Sequence, residues 1–421
     1  MTKTKKEEKK LTQVQEAKKN ALRISTIVTI TGAVISYRVG AGFASGNECI
    51  QIFGSWGPDV GWAVFGATLV LLLGAVGTYL IAFRLQFNGS DEAYRAIGGN
   101  RFGKFIQIFT GISLVLNLFT MFAGAGSLLN QFMGLPNWVG SLLVGIVSFI
   151  SLLGGLKSLE KVLGSIGIVI LVYLVIFGVM TLVTVPLNME NIYDAQRAVE
   201  AGEILQVSLF ALPPFSWIPG LAEHNNAFIN GVVYGAEATF SGFPFLIMLA
   251  KRCKTKKEAV ACGLAGDIGY MFCVCVSLIV LMFNFDCIMN PATMEMNPFP
   301  TLAAVQKLWP AVSWTYALLC FAGVFTTVSG YLFAVVEMVF KDDVTSRNSR
   351  IFQIIVTAIG IFLGGVLPFS ELINVLMPIR GVVGILLIVL VFAALYRLRG
   401  KSAAKEDGKE EISAVGAEAA K

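Results

Sequence analysis

The chain has 421 residues, of which 56% are hydrophobic and only 14% are charged, and its mean hydropathy is +0.74. Soluble domains are roughly a quarter charged, so this composition excludes a soluble globular protein and indicates an integral membrane protein. The net charge of +5 does not indicate a nucleic-acid partner, because the positive residues follow a pattern set by membrane topology.

Residues 1–23 form a charged segment that is too long and too polar to begin a cleavable signal peptide. Ten hydrophobic runs follow, and helices of about 20 residues cross a hydrocarbon core about 30 Å thick. The predicted spans 1 to 10 are 24–53, 59–83, 105–133, 137–154, 161–184, 226–250, 258–284, 309–340, 350–368 and 371–397. We therefore expect an all-α integral membrane protein.

The lysines and arginines predict the orientation of these spans. With the N-terminus placed in the cytoplasm, 28 of the 32 lie on the cytoplasmic side. Arg197 and Lys307 are external, and Arg38 and Arg380 fall within spans. A bias of this size follows the positive-inside rule, so both termini are predicted to be cytoplasmic. For a bacterial protein this places the chain in the inner membrane.

Two long connections divide the spans into two halves. Segment 84–104 separates spans 2 and 3, and segment 285–308 separates spans 7 and 8, which are matching positions in two sets of five. Because five is odd, the second set enters the membrane from the opposite side, which predicts an inverted repeat with a binding site at the midplane. The predicted segments are a cytoplasmic N-terminus (1–23), a first repeat (24–184), an external loop (185–225), a second repeat (226–398) and a cytoplasmic tail (399–421).

Span 1 contains the stretch SYRVGAGFASGNE, residues 36–48, and its composition predicts a break in the helix. Glycine costs about 1 kcal/mol in a helix interior, and unwound backbone at membrane depth is tolerated only beside a cavity or inside the protein. Span 6 reads NGVVYGAEATFSGFPF, residues 230–245, and predicts a matching break. The alternative is close helix packing through small residues, for which Gly42 and Gly46 have the right spacing. The predicted substrate-contacting residues are Gly40, Ala41, Gly42, Phe43, Ser45, Gly46, Tyr234 and Glu237.

A cation site is a second expectation. Span 8 places Thr326 and Thr327 one helical turn after Gly323, and the carbonyls of Ser36 and Val39 end the first half of span 1. These five residues offer an oxygen shell that suits Na⁺, a hard cation. The alternative is that the threonine hydroxyls bond back to carbonyls of their own helix. No other cofactor is predicted.

Charged residues inside the spans are costly unless they are paired or hydrated, and they therefore mark functional sites or buried ion pairs. The predicted set comprises Arg38, Glu48, Glu237, Asp267 and Arg380. One alternative is that they form two structural ion pairs. Another is that the Arg38 guanidinium fills the cation position permanently, which would make the protein independent of Na⁺.

Aromatic side chains are further candidates for substrate contacts, whereas the cysteines and the histidine give no sign of catalysis or metal binding. Phe43, Tyr234 and Phe240 flank the predicted breaks and are candidates to cap a substrate. The seven cysteines are scattered without a metal-ligand spacing, and His224 is the single histidine. Membrane-enzyme chemistry is therefore not expected.

Two motifs resemble those of the YkvI-type membrane proteins, an uncharacterised bacterial family with a LeuT-like fold. GAGFASGNE (40–48) followed by IQIFGSWG (50–57) is similar to one, and MFAGAGSLLNQFMGLP (121–136) to the other. Thr326-Thr327 and MPIRGVVG (377–384) are weaker similarities. The resemblance covers residues 24–398. It implies the five-plus-five inverted repeat of the amino acid–polyamine–organocation transporters, and the sodium site widespread in that fold.

The chain departs from the family where Arg38 and Arg380 replace apolar residues and Glu237 stands in place of an amide side chain. Buried arginines suit a carboxylate and a buried glutamate suits an amine, which together favour a zwitterion. We expect a secondary transporter of an amino acid or related amine that works by alternating access, with Na⁺ as the coupling ion. The alternatives are a Na⁺-independent transporter or exchanger, a channel, and a transport-inactive sensor.

Overall fold

Helices occupy all ten positions predicted from the hydrophobic runs. The computed structural model describes residues 22–153, 155–186, 188–211, 215–220, 225–290, 295–341, 343, 345–366 and 376–399. Span 1 comprises Ile24–Arg38, Ala41–Ser45 and a π-helical turn at Cys49–Phe53. Spans 2 to 10 are Val60–Leu85, Lys104–Met133, Asn137–Leu152, Gly155–Thr184, Ala227–Ala250, Lys256–Met282, Ser313–Phe340, Arg347–Gly364 and Leu376–Arg399.

Not every helix is long and apolar enough to cross a membrane by itself. Among the described residues, seven segments meet both requirements, while Ile24–Arg38 and Asn137–Leu152 are shorter apolar helices. The all-α membrane fold is therefore confirmed. The count of ten spans, the segment boundaries and the inverted repeat stay predictions.

Short helices connect the spans on both sides of the membrane. Ser90–Gly98 lies between spans 2 and 3, Glu190–Glu200 between spans 5 and 6, and Pro300–Leu308 between spans 7 and 8. His224, the single histidine, lies outside the described residues. The two long connections that divide the predicted halves therefore both carry a helix.

Side-chain caps fix where several spans begin. The side chains of Asn226, Thr255 and Ser346 accept hydrogen bonds from backbone N–H groups of the first helical turn of spans 6, 7 and 9. Such caps satisfy donors that a helix leaves unpaired at its N-terminus. Span 3 ends at Gly134, whose φ of +70° is the left-handed conformation common after a helix.

Spans 6 and 8 form the centre of the molecule. In their most apolar stretches, 94% of span 6 and 89% of span 8 is buried inside the protein, against 33% for spans 5 and 10. Span 6 packs along span 2 over most of its length, and spans 1 and 8 meet at the break in span 1. A site built on spans 1, 6 and 8 is thus shielded from lipid by the other helices.

The predicted break in span 6 is wrong, because Ala227–Ala250 is one continuous α-helix. Its glycines instead permit close packing: a Cβ on Gly231 would lie 2.0 Å from the carbonyl oxygen of Ala63, and one on Gly235 would lie 2.6 Å from that of Ala67. Both carbonyls belong to span 2. The alternative of small residues at a helix–helix interface is therefore the correct explanation for this span.

Candidate functional site

The break in span 1 lies where it was predicted. The first helix ends at Arg38, a short helix restarts at Ala41, and Gly46 ends that helix with a φ of +86°. The Gly40 N–H donates to the carbonyl of Arg38 instead of that of Ser36. The break therefore deprives carbonyls at the end of the first half-helix of their usual intrahelical donors.

Threonine hydroxyls of span 8 satisfy these carbonyls. Thr326 Oγ1 donates to the Ser36 carbonyl at 2.9 Å, and Thr327 Oγ1 lies 3.1 Å from the carbonyl oxygens of both Ser36 and Tyr37. Thr326 also bonds to the Gly323 carbonyl of its own helix at 2.9 Å. The predicted alternative, back-bonding within span 8, is thus present together with the contact to span 1.

The five residues predicted to bind a cation lie together. A Cβ on Gly323 would lie 2.9 Å from the carbonyl oxygen of Val39, which places Val39 beside the Ser36–Thr326–Thr327 cluster. All the candidate ligand atoms are uncharged oxygens, the donor type that hard cations prefer. The residues present therefore fit Na⁺. Among the described residues, no group of three or more His, Cys, Asp or Glu side chains forms a further metal site.

A small polar cavity of about 30 Å³ lies next to the break. A single water occupies about that volume in the liquid, so the cavity is nearly closed in this conformation. Its walls come from spans 1, 3, 6, 7, 8 and 10. The lining residues are Tyr37, Arg38, Gly40, Glu48, Asn117, Met121, Tyr234, Glu237, Ala238, Ser241, Tyr270, Tyr331, Met377 and Arg380.

Arg38 belongs to a buried ion pair. Its Nε lies 2.8 Å from Asp267 Oδ1 on span 7, and Nη1 donates to the carbonyl of Ala238 on span 6 at 2.6 Å. Only 4% of the Arg38 side chain and 1% of the Asp267 side chain is exposed. The guanidinium therefore joins spans 1, 6 and 7. The alternative that it fills the cation position beside Thr326 and Thr327 is wrong for this conformation.

A second buried pair joins spans 6 and 10. Arg380 Nη2 lies 3.2 Å from Glu237 Oε1, and Nε donates to the carbonyl of Leu376 at 3.2 Å. The Nη1 atom is buried without a hydrogen-bond partner. The two predicted ion pairs therefore exist, but the second retains an unused donor at the cavity wall.

Glu48 lines the same cavity without a hydrogen bond to any described residue. Its carboxylate packs so closely on span 1 that a Cβ on Gly42 would lie 2.0 Å from Oε1. A side chain at position 42 would therefore displace the Glu48 carboxyl group from this position, and Gly42 is not among the residues that line the cavity. The side chain of Glu48 is half-buried, so a carboxylate acceptor remains available at the wall.

Several predicted contacts lie outside the cavity lining. Phe43 packs against the Tyr270 ring at a centroid distance of 5.5 Å, and Ser45 donates to the Gly42 carbonyl at 2.8 Å. Phe240 packs against the ring of Phe109 at 5.8 Å. Gly46 serves as a helix end, and the side chain of Ala41 lies outside the described part of the chain. Of the predicted substrate-contacting residues whose side chains the structure describes, Gly40, Tyr234 and Glu237 line the cavity.

Aromatic side chains line the cavity towards both ends of the spans. Towards the predicted cytoplasmic side, Tyr37 stacks on Phe245 at 4.4 Å and meets Tyr331 edge-on at 4.9 Å. On the opposite side, the hydroxyls of Tyr234 and Tyr270 are hydrogen-bonded to each other. The four tyrosines Tyr37, Tyr234, Tyr270 and Tyr331 therefore form much of the aromatic part of the cavity wall.

Sequence reasoning missed several lining residues that carry a recognisable signal. Asn117 is an amide within the apolar span 3, and polar side chains at membrane depth mark functional sites. Tyr270 lies three residues after Asp267, which is one turn along the same helix face. Tyr37, Tyr331, Met121 and Met377 carry no comparable signal, because aromatic and methionine side chains are common throughout the spans.

The motif MFAGAGSLLNQFMGLP has a structural role in this fold. A Cβ on Gly126 would lie 2.5 Å from the Asn137 carbonyl oxygen of span 4. Gln131 bonds to the backbone of Phe299 in both directions, accepting at 2.8 Å and donating at 3.0 Å. The motif therefore joins span 3 to span 4 and holds the start of the Pro300–Leu308 helix.

Comparison with known proteins supports the membrane-transporter fold. No family model matches the chain. The chain is 24% identical over 354 residues to the uncharacterized membrane protein YkvI of Bacillus subtilis (strain 168), covering 82% of this chain and 90% of YkvI. The resemblance predicted from the two glycine-containing motifs is thereby confirmed.

Two solved transporters have a similar fold. One is a Na⁺-coupled sialic acid symporter in a substrate-bound outward-open state, with 14% identity, a TM-score of 0.55, and coverage of 87% of this chain and 78% of that chain. The other is a mutant manganese transporter of Eremococcus coleocola, with 13% identity, a TM-score of 0.53, and coverage of 88% and 77%. At these identities the likeness shows the fold alone. The chain is therefore similar in sequence to YkvI and similar in fold to these two transporters.

Proposed function

We propose that this protein is a secondary active transporter of a small zwitterionic solute, an amino acid or a related amine, that works by alternating access. The observation that carries the proposal is the broken span 1 beside a closed cavity lined by buried charges. Discontinuous helices at the midplane are where transporters of this architecture bind substrate. Because the cavity holds little more than a water molecule, solute entry requires the surrounding helices to move apart.

The charges at the cavity favour a zwitterion. The unused Nη1 of Arg380 is a donor for a carboxylate, and a charge-assisted bond of this kind is about twice as strong as a neutral one. The carboxylate of Glu48 is an acceptor for an ammonium group. Asp267 and Glu237 are already paired with Arg38 and Arg380. Glu48 is therefore the lining carboxyl group left to meet a substrate amine.

Na⁺ coupling is proposed through Ser36, Val39, Gly323, Thr326 and Thr327. The ion would join spans 1 and 8 and would supply binding energy that favours one conformation over the other. A second candidate is Na⁺-independent transport. It is favoured by the direct hydrogen bonds from Thr326 and Thr327 to span 1, which hold the two spans together without an ion.

The test is the thermal stability of the purified protein against a library of amino acids and amines, in NaCl and in KCl. A ligand that binds only the folded state at about 100 times its Kd stabilises it by roughly 2.7 kcal/mol. Each ligand found is then tested for saturable uptake into proteoliposomes. A ligand shift without uptake would support a sensor, and uptake that does not saturate would support a channel.

The paired variants Thr326→Val and Thr327→Val decide between the two coupling schemes. Valine keeps the shape of threonine and removes the hydroxyl. Under Na⁺ coupling, both variants lose the difference between NaCl and KCl while substrate still binds. If the wild-type protein shows no such difference, the Na⁺-independent scheme is correct.

A further inference from the structure

A groove of about 530 Å³ opens on the outer surface between spans 3, 8 and 9. It shares no lining residue with the central cavity. It lies at the end of these spans that is predicted to be cytoplasmic. The lining residues are Asp91, Arg95, Lys104, Gln107, Ile108, Gly111, Ile112, Val115, Leu116, Val335, Met338, Val339, Lys341 and Phe352.

The walls along the groove are apolar and face the bilayer. Ile108, Ile112 and Leu116 follow one another at four-residue intervals on span 3, with exposures of 53%, 57% and 39%. Eight residues of α-helix extend about 12 Å. At Gly111 the groove has open space, since the nearest atom to an added Cβ would be Met338 Cε at 3.8 Å. The shape suits an extended hydrocarbon chain lying along span 3.

One end of the groove is cationic. Arg95, Lys104 and Lys341 line it together with a single carboxylate, Asp91. Asp91 lies 3.8 Å from Arg95 Nη2 and 3.2 Å from Lys341 Nζ, which gathers two of the cations at one place. The side chains of Arg95 and Lys341 remain 54% and 62% exposed. The groove lining itself therefore carries three cations and one carboxylate, and the exposed charged ends of Arg95 and Lys341 are accessible to an anion.

Lys341 occupies a strained backbone conformation. Its φ is +54°, in the region that favours glycine, and its N–H donates to the Glu337 carbonyl at the end of span 8. The exposed side chain offers little packing to offset this strain. Strained residues are often found at ligand sites, and the ammonium group at the mouth of the groove is the part of Lys341 that a ligand would contact.

We propose that this groove binds an anionic phospholipid of the surrounding bilayer. The phosphate lies among Arg95, Lys104 and Lys341, and one acyl chain lies along span 3 past Gly111. The acyl chain gives no selectivity, because the rest of the bilayer is equally apolar. Selectivity comes from the headgroup charge, as in other basic pockets between membrane helices. This site is independent of the proposed substrate and coupling ion.

Native mass spectrometry of the full-length protein tests the proposal, with phosphatidylglycerol and phosphatidylcholine titrated separately. We expect tighter binding of phosphatidylglycerol. Each lysine or arginine contributes about fivefold to binding of an anionic lipid, so Arg95→Gln, Lys104→Gln and Lys341→Gln together weaken it about 100-fold. Binding of phosphatidylcholine is unchanged by these substitutions.

The matched control removes the same charge outside the groove through Arg84→Gln, Arg101→Gln and Arg347→Gln, and leaves phosphatidylglycerol binding within about threefold of wild type. Gly111→Phe fills the groove without altering charge and also displaces the lipid, with a retained melting temperature showing that the variant folds. The proposal is overturned if the protein binds the two lipids equally, or if the control variant loses as much phosphatidylglycerol binding as the groove variant. It is also overturned if Gly111→Phe leaves lipid binding unchanged, or if a second protein copy crosslinks in the groove.

Discussion

The pair Arg38–Asp267 allows the cost of a buried charge in this fold to be measured. Asp267→Asn removes the negative partner of a guanidinium that is 4% exposed and whose Nε lies 2.8 Å from the carboxylate. Breaking a buried pair on one side costs about 3–5 kcal/mol, because the remaining charge stays desolvated. We therefore expect the free energy of unfolding to fall by about that amount.

The double variant Arg38→Met/Asp267→Leu removes both charges and replaces them with apolar side chains. Replacing a buried pair in this way is often neutral or stabilising, so we expect it to recover most of the loss. The assay is equilibrium unfolding in mixed detergent micelles for wild type, Asp267→Asn and the double variant. The reasoning is refuted if Asp267→Asn stays within about 1 kcal/mol of wild type, or if the double variant is as unstable as Asp267→Asn.

Three further predictions follow from the contacts of the site and its surroundings. Thr326→Val and Thr327→Val each remove hydrogen bonds to span 1 and lower stability by about 1 kcal/mol, measured by the same unfolding assay. Arg380→Gln removes a charged donor from the cavity and weakens substrate binding about 10- to 100-fold, because a hydrogen bond to a charged group contributes about 1.5–3 kcal/mol. Arg380→Lys keeps the charge and therefore retains part of the affinity, and calorimetric titration measures both variants. Arg23→Gln breaks the Arg23 Nε–Glu258 Oε1 contact of 2.8 Å, which joins spans 1 and 7. If this pair holds the predicted cytoplasmic side closed, the variant increases labelling of a cysteine introduced on that side. Unchanged labelling would show that the pair does not have this role.

The sequence was sufficient to locate the helices and the break in span 1. Membrane helices must satisfy their own backbone groups, so long apolar runs translate directly into helices. Gly40, Gly42 and Gly46 cluster tightly enough to interrupt a helix, and the structure places the break there. Gly323, Thr326 and Thr327 were expected on one helix face because they lie one turn apart, and the two threonines contact the Ser36 carbonyl of span 1. Cation binding at these residues stays a prediction.

The sequence was not sufficient to predict the state of span 6, because glycine permits both unwinding and close packing. Only the approach of the span 2 backbone to Gly231 and Gly235 shows which applies. The partners of Arg38 and Arg380 were likewise undetermined. The sequence shows which charged residues lie inside the spans and therefore need partners. Which residue pairs with which depends on how spans 6, 7 and 10 are arranged around span 1.

The continuous span 6 leads to a last prediction about the transport cycle. A Cβ on Gly242 would meet only ordinary contacts, with Leu246 Cδ1 at 3.5 Å and the Arg38 Nη atoms at 3.7 Å. Gly242→Ala should therefore fit, and alanine stabilises a helix interior by about 1 kcal/mol relative to glycine. Gly235→Ala should destabilise the protein, because its Cβ would lie 2.6 Å from the Ala67 carbonyl oxygen.

The two variants together show whether span 6 must unwind at Gly242 for transport. If it unwinds, Gly242→Ala is more stable than wild type but slower in proteoliposome uptake, because the helical state is favoured over the unwound state. If span 6 moves as a rigid helix, Gly242→Ala gains stability and transports at the wild-type rate. A slow Gly242→Ala variant that is also unstable would contradict the structure, since it would mean that Gly242 is packed as tightly as Gly235.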